Sequence, residues 1–383
     1  NVQGVLIATN LVIAVYVGAN ADTDRYMVLL IVGILAGLLS SVFISRLPNP
    51  AGATGVGQNR LLSDIGESLR RSEYRRFIIL ACVVAMITGM TGPFLVVYAK
   101  QAYKIADNIV VFFLVIGNLG AIAMSVVARK LIDRLGAKPL YAIFLGVLAA
   151  SLTLIIISPG LGTPLVYVYF GLLFFVFNFG LVGGTNAGQS YFFAVTNGAK
   201  LMNLGILYNV LGGISAAVGS IIAGALLGVF EGQYDRVAAP FQFLYGLGLF
   251  LVLVCYIVLL GLRNNGRFSI RSALGLFLSR KDLRAVALLH KLDTTQTVSE
   301  EVEVIDTIAN LDSTVPVDDL LEKLKSPRFY IRSRALRALE SCSRDERITN
   351  AMFNEVKNHT FTTAHVAARI LGRKGASEGR SIL

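Results

Sequence analysis

A few polar side chains sit inside long uncharged runs of this chain, and hydrogen bonding is the chemistry open to them there. Thr88, Thr91 and Tyr98 share a helical face in one run, and Asn118 stands in the next. Asn178, Thr185, Asn186 and Gln189 form a stripe in a third, with Phe174 and Phe175 one turn before it; Tyr208 and Asn209 lie in a fourth. A polar group in hydrocarbon is costly unless it is bonded. Such residues either tie helices together or line a cavity that takes a solute. No Asp, Glu, Lys, Arg or His lies well inside these runs; Lys200 sits just before one of them. Proton coupling needs a titratable group in the path, and the visible runs supply none. The lack of a buried Arg or Lys disfavours a strongly anionic solute.

Other chemistries find no pattern. Cys82 and Cys255 fall in apolar runs, Cys342 lies in the final third, and no CxxC or Cys/His ligand spacing links them. His290, His359 and His365 are scattered over that final third. Neither a disulfide nor a metal site is inferred. Nucleophile–base pairs and phosphate-binding glycine loops are missing from the pattern as well, so neither enzymatic activity nor a cofactor is expected.

The elements that must hold the polar residues are legible from hydropathy. Of 383 residues, 55% are hydrophobic and 15% charged, against about 25% charged in a soluble domain. Mean hydropathy is +0.66. About 20 apolar residues cross a ~30 Å hydrocarbon core as a helix. Eight such stretches are read, at 3–19, 27–45, 77–99, 108–128, 139–158, 163–194, 201–230 and 240–262. The expected fold is all-α: a polytopic transmembrane helix bundle followed by a soluble, α-solenoid-like helical domain. The net charge of +11 is spread along the chain, with 16 Lys and Arg against 9 Asp and Glu up to Arg263, and 19 against 15 beyond it. That spread excludes a dense nucleic-acid patch, and no nucleic-acid partner is expected.

Lys and Arg set the orientation. One alternate set of loops holds 12 of them, including Arg70, Arg71, Arg75, Arg76, Arg129 and Lys138; the other holds only Arg25, Lys100, Lys104 and Arg236. The rich set faces the cytoplasm, as do both ends of the visible chain. The longest loop runs from a Pro/Gly-rich stretch into Leu61, Leu62, Ile65 and Leu69 at helical spacing. It reads as an amphipathic helix on the inner leaflet or as a solvated linker. Four segments result: 1–48, two helices; 49–76, the linker; 77–263, six helices; and 264–383, the soluble tail.

One of the cationic loops reads Arg129-Lys130-Leu131-Ile132-Asp133-Arg134-Leu135-Gly136-Ala137-Lys138. It resembles the G-x-x-x-D-R-x-G-R-K/R loop of the major facilitator superfamily of secondary transporters. The Asp-Arg-x-Gly core is kept; the leading Gly is replaced by Arg129 and the later Arg by Ala137. Two spans, a linker and six spans match helices five to twelve of that family, with the loop after helix eight. On this resemblance the first four helices precede the visible chain, which opens on Asn1 and reads as a fragment. Gly89, Gly92 and Pro93 fall where the family often breaks helix seven.

The resemblance assigns roles. It implies a bilayer-embedded carrier for a small-molecule substrate, with a midplane cavity supplied by helices seven, eight, ten and eleven. The cavity candidates are Thr91, Asn118, Phe175, Asn178 and Asn209, with Asn118 and Asn178 deepest and Thr185, Asn186 and Gln189 nearer the cytoplasm. Asp133, Arg134 and Gly136 form the implied cytoplasmic latch, Asp133 sitting against the start of helix eleven near Lys200. Gly212, Ala216, Ser220 and Gly224, each four residues apart, read as a tight helix–helix contact. The expected location is a bacterial inner (plasma) membrane with a cytoplasmic tail.

The tail carries its own pattern. Leu320–Leu339 resembles a HEAT repeat, with an apolar helix, a Ser326-Pro327 turn and a helix opening on Ile331-Arg332. A weaker copy lies at 354–373, and Arg332 and Arg369 are about 37 residues apart, near such a repeat's period. Stacked repeats present a surface to a partner protein. Two functions follow: a secondary transporter working by alternating access, or a transport-inactive membrane scaffold whose tail binds a cytoplasmic protein.

Overall fold

The computed structural model describes residues 23–46, 61–157, 160, 162–196, 198–230, 237–264, 298–310, 317–326, 328–341, 346–358 and 363–373, with isolated positions between 9 and 16 and between 270 and 292. Among them there is no strand. The chain divides into two compact units, Asn1–Ile270 and Arg271–Leu383.

The first unit holds α1 (Thr23–Ser45), α2 (Leu61–Arg70), α3 (Ser72–Tyr103), α4 (Asp107–Leu135), α5 (Ala137–Ile157), α6 (Thr163–Val195), α7 (Leu201–Phe230) and α8 (Ala239–Leu260). Seven of these, all but α2, are long and apolar enough to cross a membrane. Of the stretch read at 3–19, residues 9, 11–13, 15 and 16 are described, all helical, and the rest lies outside the described residues. The apolar segment of α1 is 0% buried, and Leu30, Ile34, Leu35 and Leu38 each expose more than half their surface. Apolar exposure on every side of a helix requires hydrocarbon as solvent.

Helices α3 to α8 form two triplets that exchange partners. The first helix of each triplet packs on the second and third of the other: α3 on α7 and α8, α6 on α4 and α5. Contact between α5 and α8 closes the arrangement. In lipid no hydrophobic drive pulls helices together, so small residues let backbones approach. At the α3–α7 crossing Gly219 lies directly on the Met86 carbonyl and Gly89 on the Ala216 backbone. At the α4–α6 crossing Gly120 lies on the Phe175 carbonyl and Gly117 under the Asn178 amide. Gly180 meets the Leu148 backbone in α5, and Gly248 of α8 packs beside Thr91.

Pro93 falls inside α3. A proline has no amide hydrogen, so the carbonyl four residues back, that of Gly89, loses its helical donor. Ser220 Oγ of α7 donates to that carbonyl at 2.8 Å. Close by, Tyr245 Oη of α8 donates to the Thr91 carbonyl at 3.3 Å. The helix runs unbroken through Pro93, and the level where it lacks one hydrogen bond is stitched to both of its neighbours.

The two ends of the bundle differ. At one end the last turns of α3 meet the first turns of α4, α6 and α8 in an aromatic cluster: Tyr98 lies 5.7 Å from Phe170 and 5.5 Å from Phe241. Lys100 pairs with Asp107 there at 2.6 Å. The other end carries α2 and the polar collar described below.

In the second unit, α9 (Val298–Ala309), α10 (Val317–Lys323), α11 (Phe329–Ser341), α12 (Glu346–Asn358) and α13 (Ala364–Arg373) are amphipathic helices. They pair as α10 with α11 and α12 with α13, while α9 and α13 both pack on α11, and α10 packs on α12. Ile305, Leu320, Ala335, Leu336, Leu339, Ala367 and Ile370 are fully buried between them. Arg332 donates to the Ser326 carbonyl at 2.9 Å, which ties the turn to α11. Arg334 reaches Asp306 of α9 at 3.0 Å and lies over the Tyr330 ring at 5.2 Å.

Candidate functional site

A cleft of about 240 Å³ opens between α3, α6 and α7, in the half of the bundle nearer α2. Ile78, Ala81, Cys82, Ala85 and Thr88 line it from α3, Thr185 from α6, and Tyr208, Asn209 and Leu211–Gly213 with Ala216 from α7. Its size lies below the ~300–1,000 Å³ usual for drug-sized ligands.

Thr88, Thr185 and Asn209 have each spent a donor on their own helices. Thr88 Oγ1 donates to the Val84 carbonyl at 2.9 Å, Thr185 Oγ1 to Leu181 at 3.0 Å, and Asn209 Nδ2 to Gly205 at 2.9 Å. Local bonding of this kind satisfies a polar side chain in an apolar setting. It leaves the two hydroxyl oxygens and the Asn209 Oδ1 as acceptors. Among the described residues, no charged one lines the cleft. Tyr208 is held between Phe77, stacked at 6.0 Å, and Phe192, stacked at 5.0 Å, so the cleft has one rigid aromatic wall.

Of the five cavity candidates, Asn209 lies on the cleft. Thr91 is 0% exposed; its hydroxyl bonds the Ile87 carbonyl and its methyl packs toward Gly248 of α8. It serves the α3–α8 contact in this structure. Asn178 donates to the Phe174 carbonyl at 3.0 Å and covers Gly117, so it belongs to the α4–α6 crossing rather than to the cleft. Phe175 is half-buried in that crossing and stacks on Phe179. Asn118 is half-buried on α4. Thr88, Thr185 and Tyr208 replace them in the cleft. Their polar character was visible in sequence; which face of each helix turned to α7 was not. Cys82 carried no signal at all.

Of the small-residue stripe on α7, Ala216 and Ser220 make the α3 contact, and Gly212 lines the cleft. A Cβ added at Gly224 would stand 4.0 Å from the Phe94 ring, an ordinary contact. Gly219, outside the stripe, meets backbone almost as closely as Ala216 does.

A polar collar rings the α2 end. Gly136, with φ 88°, ends α4 in a conformation that disfavours a side chain, and its amide bonds Ile132 at 3.1 Å. The side chains of Asp133 and Arg134 lie outside the described ones. Lys138, next in the same loop, is buried and donates to the carbonyls of Leu260 and Leu262. Arg76 of α3 reaches the Gly261 carbonyl at 3.4 Å, and Tyr191 of α6 the Arg263 carbonyl at 3.1 Å. Four successive carbonyls at the end of α8 thus find donors on three other helices. A helix C-terminus leaves such carbonyls unpaired and favours cations.

The start of α7 is held by acids of α2. Lys200 Nζ lies 2.5 Å from Glu67 Oε2 and 3.7 Å from Asp64 Oδ1. Asn203 donates to Asp64 Oδ2 at 2.8 Å. The Lys200 ammonium, through its hydrogen bond, holds the Glu67 carboxyl below the usual glutamate range. Among the described residues, no group of three His, Cys, Asp or Glu could hold a metal ion.

The family model described as Major Facilitator Superfamily is similar to residues 13–200, a stretch that includes α1 to α6. No curated protein showed significant similarity to the chain.

Proposed function

Because its membrane-spanning part belongs to the major facilitator superfamily, and is thus a secondary transporter, we propose that this chain moves a small, uncharged solute by alternating access through the cleft between α3, α6 and α7. The observation that carries this reading is the chemistry of the cleft: three oxygen acceptors, an aromatic wall and no charge. A solute that donates hydrogen bonds from one edge and lays an apolar face on Tyr208 matches it. Partly desolvated hydrogen bonds and a fixed ring give selectivity in such a pocket.

The collar loop supports alternating access. Asp133, Arg134 and Gly136 are proposed as the gate on the side that the Lys and Arg bias places in the cytoplasm. On the same bias the tail is cytoplasmic, and a bacterial inner membrane is the location proposed with it. Helix pairs in the tail, with one row on α11, support a HEAT-like stack that binds a partner protein.

Uptake by the full chain in proteoliposomes, across neutral sugars, nucleosides, amino acids and drug-like amines, tests the transport reading. Asn209→Ala is expected to lower the apparent affinity for the transported solute by about 5- to 30-fold, the value of one partly desolvated hydrogen bond. Unchanged kinetics in Asn209→Ala would remove the cleft from the pathway. A protein that captures its tail partner and moves no solute would establish the scaffold instead.

A further inference from the structure

At the α2 end, the two helices that supply most of the cleft wall are held together by side-chain bonds. Helix α2 packs on the first turns of both α3 and α7, the two helices that supply most of the cleft wall. To α3 it is joined directly, with only Arg71 between them. To α7 it is joined through Asp64, Glu67, Lys200 and Asn203. Asp64 is 14% exposed in its side chain and Asn203 8% exposed overall, so their bond is largely shielded from water. Ser68 is buried on the same helix, and Ile65 and Leu69 are half-buried. The segment is therefore docked on the bundle, not free in solution.

We propose that α2 is a staple across the mouth of the cleft, which opens to the α2 side only when Asp64 and Glu67 release Lys200 and Asn203. The geometry leaves few alternatives for motion. Farther along, α3 and α7 are locked backbone to backbone at Gly89, Ala216 and Gly219. The first turns of α7 have no such lock. Asn203 and Leu204 are buried, whereas Met202, Ile206 and Val210 are exposed. A swing of these turns away from α3, about the glycine crossing, would widen the cleft at Cys82 and Tyr208. Such a swing must part the Tyr208–Phe77 stack and break the bonds to the acids of α2. This deepens the transporter reading, on which it rests for its consequence: the staple sets how often the cleft faces the α2 side.

Cys82 lines the cleft and reports on its opening without any solute. The full chain in lipid nanodiscs is treated with N-ethylmaleimide, and alkylation of each cysteine is timed by peptide mass spectrometry. Asp64→Asn with Glu67→Gln, and separately Lys200→Gln, are expected to speed Cys82 labelling by about fivefold or more, the low end of coupling between linked sites. Arg71→Gln removes the exposed Arg71–Glu67 pair within the α2 segment and should leave the rate unchanged. Cys255, 1% exposed, should stay unlabelled in every variant. Labelling of Cys82 within twofold of the parent in both staple variants overturns the proposal. An equal gain in Arg71→Gln, or a parallel gain at Cys255, also overturns it, because α2 or the whole bundle has then loosened. A failed uptake assay would not touch this measurement, and a failed labelling assay would leave uptake to be judged by itself.

Discussion

Pro93 removes an amide from the middle of a membrane helix, where water cannot replace it. Ser220 supplies the missing donor to Gly89 from the facing helix. Ser220→Ala should therefore leave a buried carbonyl unpaired and cost about 1–3 kcal/mol. Thermal unfolding in nanodiscs should show a lower midpoint for Ser220→Ala and a near-parental one for Ser220→Thr. Equal midpoints for Ala and parent would mean that Gly89 finds another donor. Both residues were visible in sequence. Pro93 read as a helix break and Ser220 as one of a packing stripe. That one completes the other depends on α7 crossing α3 at that level, which no local pattern encodes. Thr91 and Asn178 show the same limit from the opposite side. Each looked like a cavity residue, and each is bonded to its own helix at a crossing. A Thr or Asn at membrane depth has the same sequence signature in either place.

At the scale of elements, the crossings rest on glycines that touch backbone. Gly219→Val would place its side chain against the Met86 carbonyl and force α3 and α7 apart. Overpacking of this kind costs about 1–3 kcal/mol or more, and folded yield from size-exclusion profiles should fall sharply. Gly228→Val, on the same helix in open space, should behave like the parent. Loss of neither variant would place the α3–α7 contact elsewhere. The repeat of Gly212, Ala216, Ser220 and Gly224 disclosed that α7 has a small-residue face. It did not disclose that Gly219, one position aside, also meets the partner's backbone, because the crossing angle decides which side of the stripe faces the partner. The linker helix is similar. Its amphipathic spacing was legible, but a leaflet and a helix bundle both accept an apolar face. The acids that meet Lys200 and Asn203 decide for the bundle.

At the scale of the molecule, two units with different solvents share one chain. Leu336 is fully buried in the tail core, and Leu336→Ala should cost about 2–5 kcal/mol there. Limited proteolysis should then cut the tail faster while α3 to α8 stay protected by lipid. Equal protection of the tail would show that its core does not depend on α11. Composition alone drew this division, because hydrocarbon and water select opposite residue types. Span lengths, the all-helical class, the loop motif and the family likeness were likewise set by the order of residues along the chain. Contacts were not. Which carbonyls Lys138 grips, which acids hold Lys200 and which threonines share a cleft depend on helix rotation and crossing. Those are settled only when the glycine contacts close, since in lipid packing and polar satisfaction, not hydrophobicity, choose among the possible arrangements.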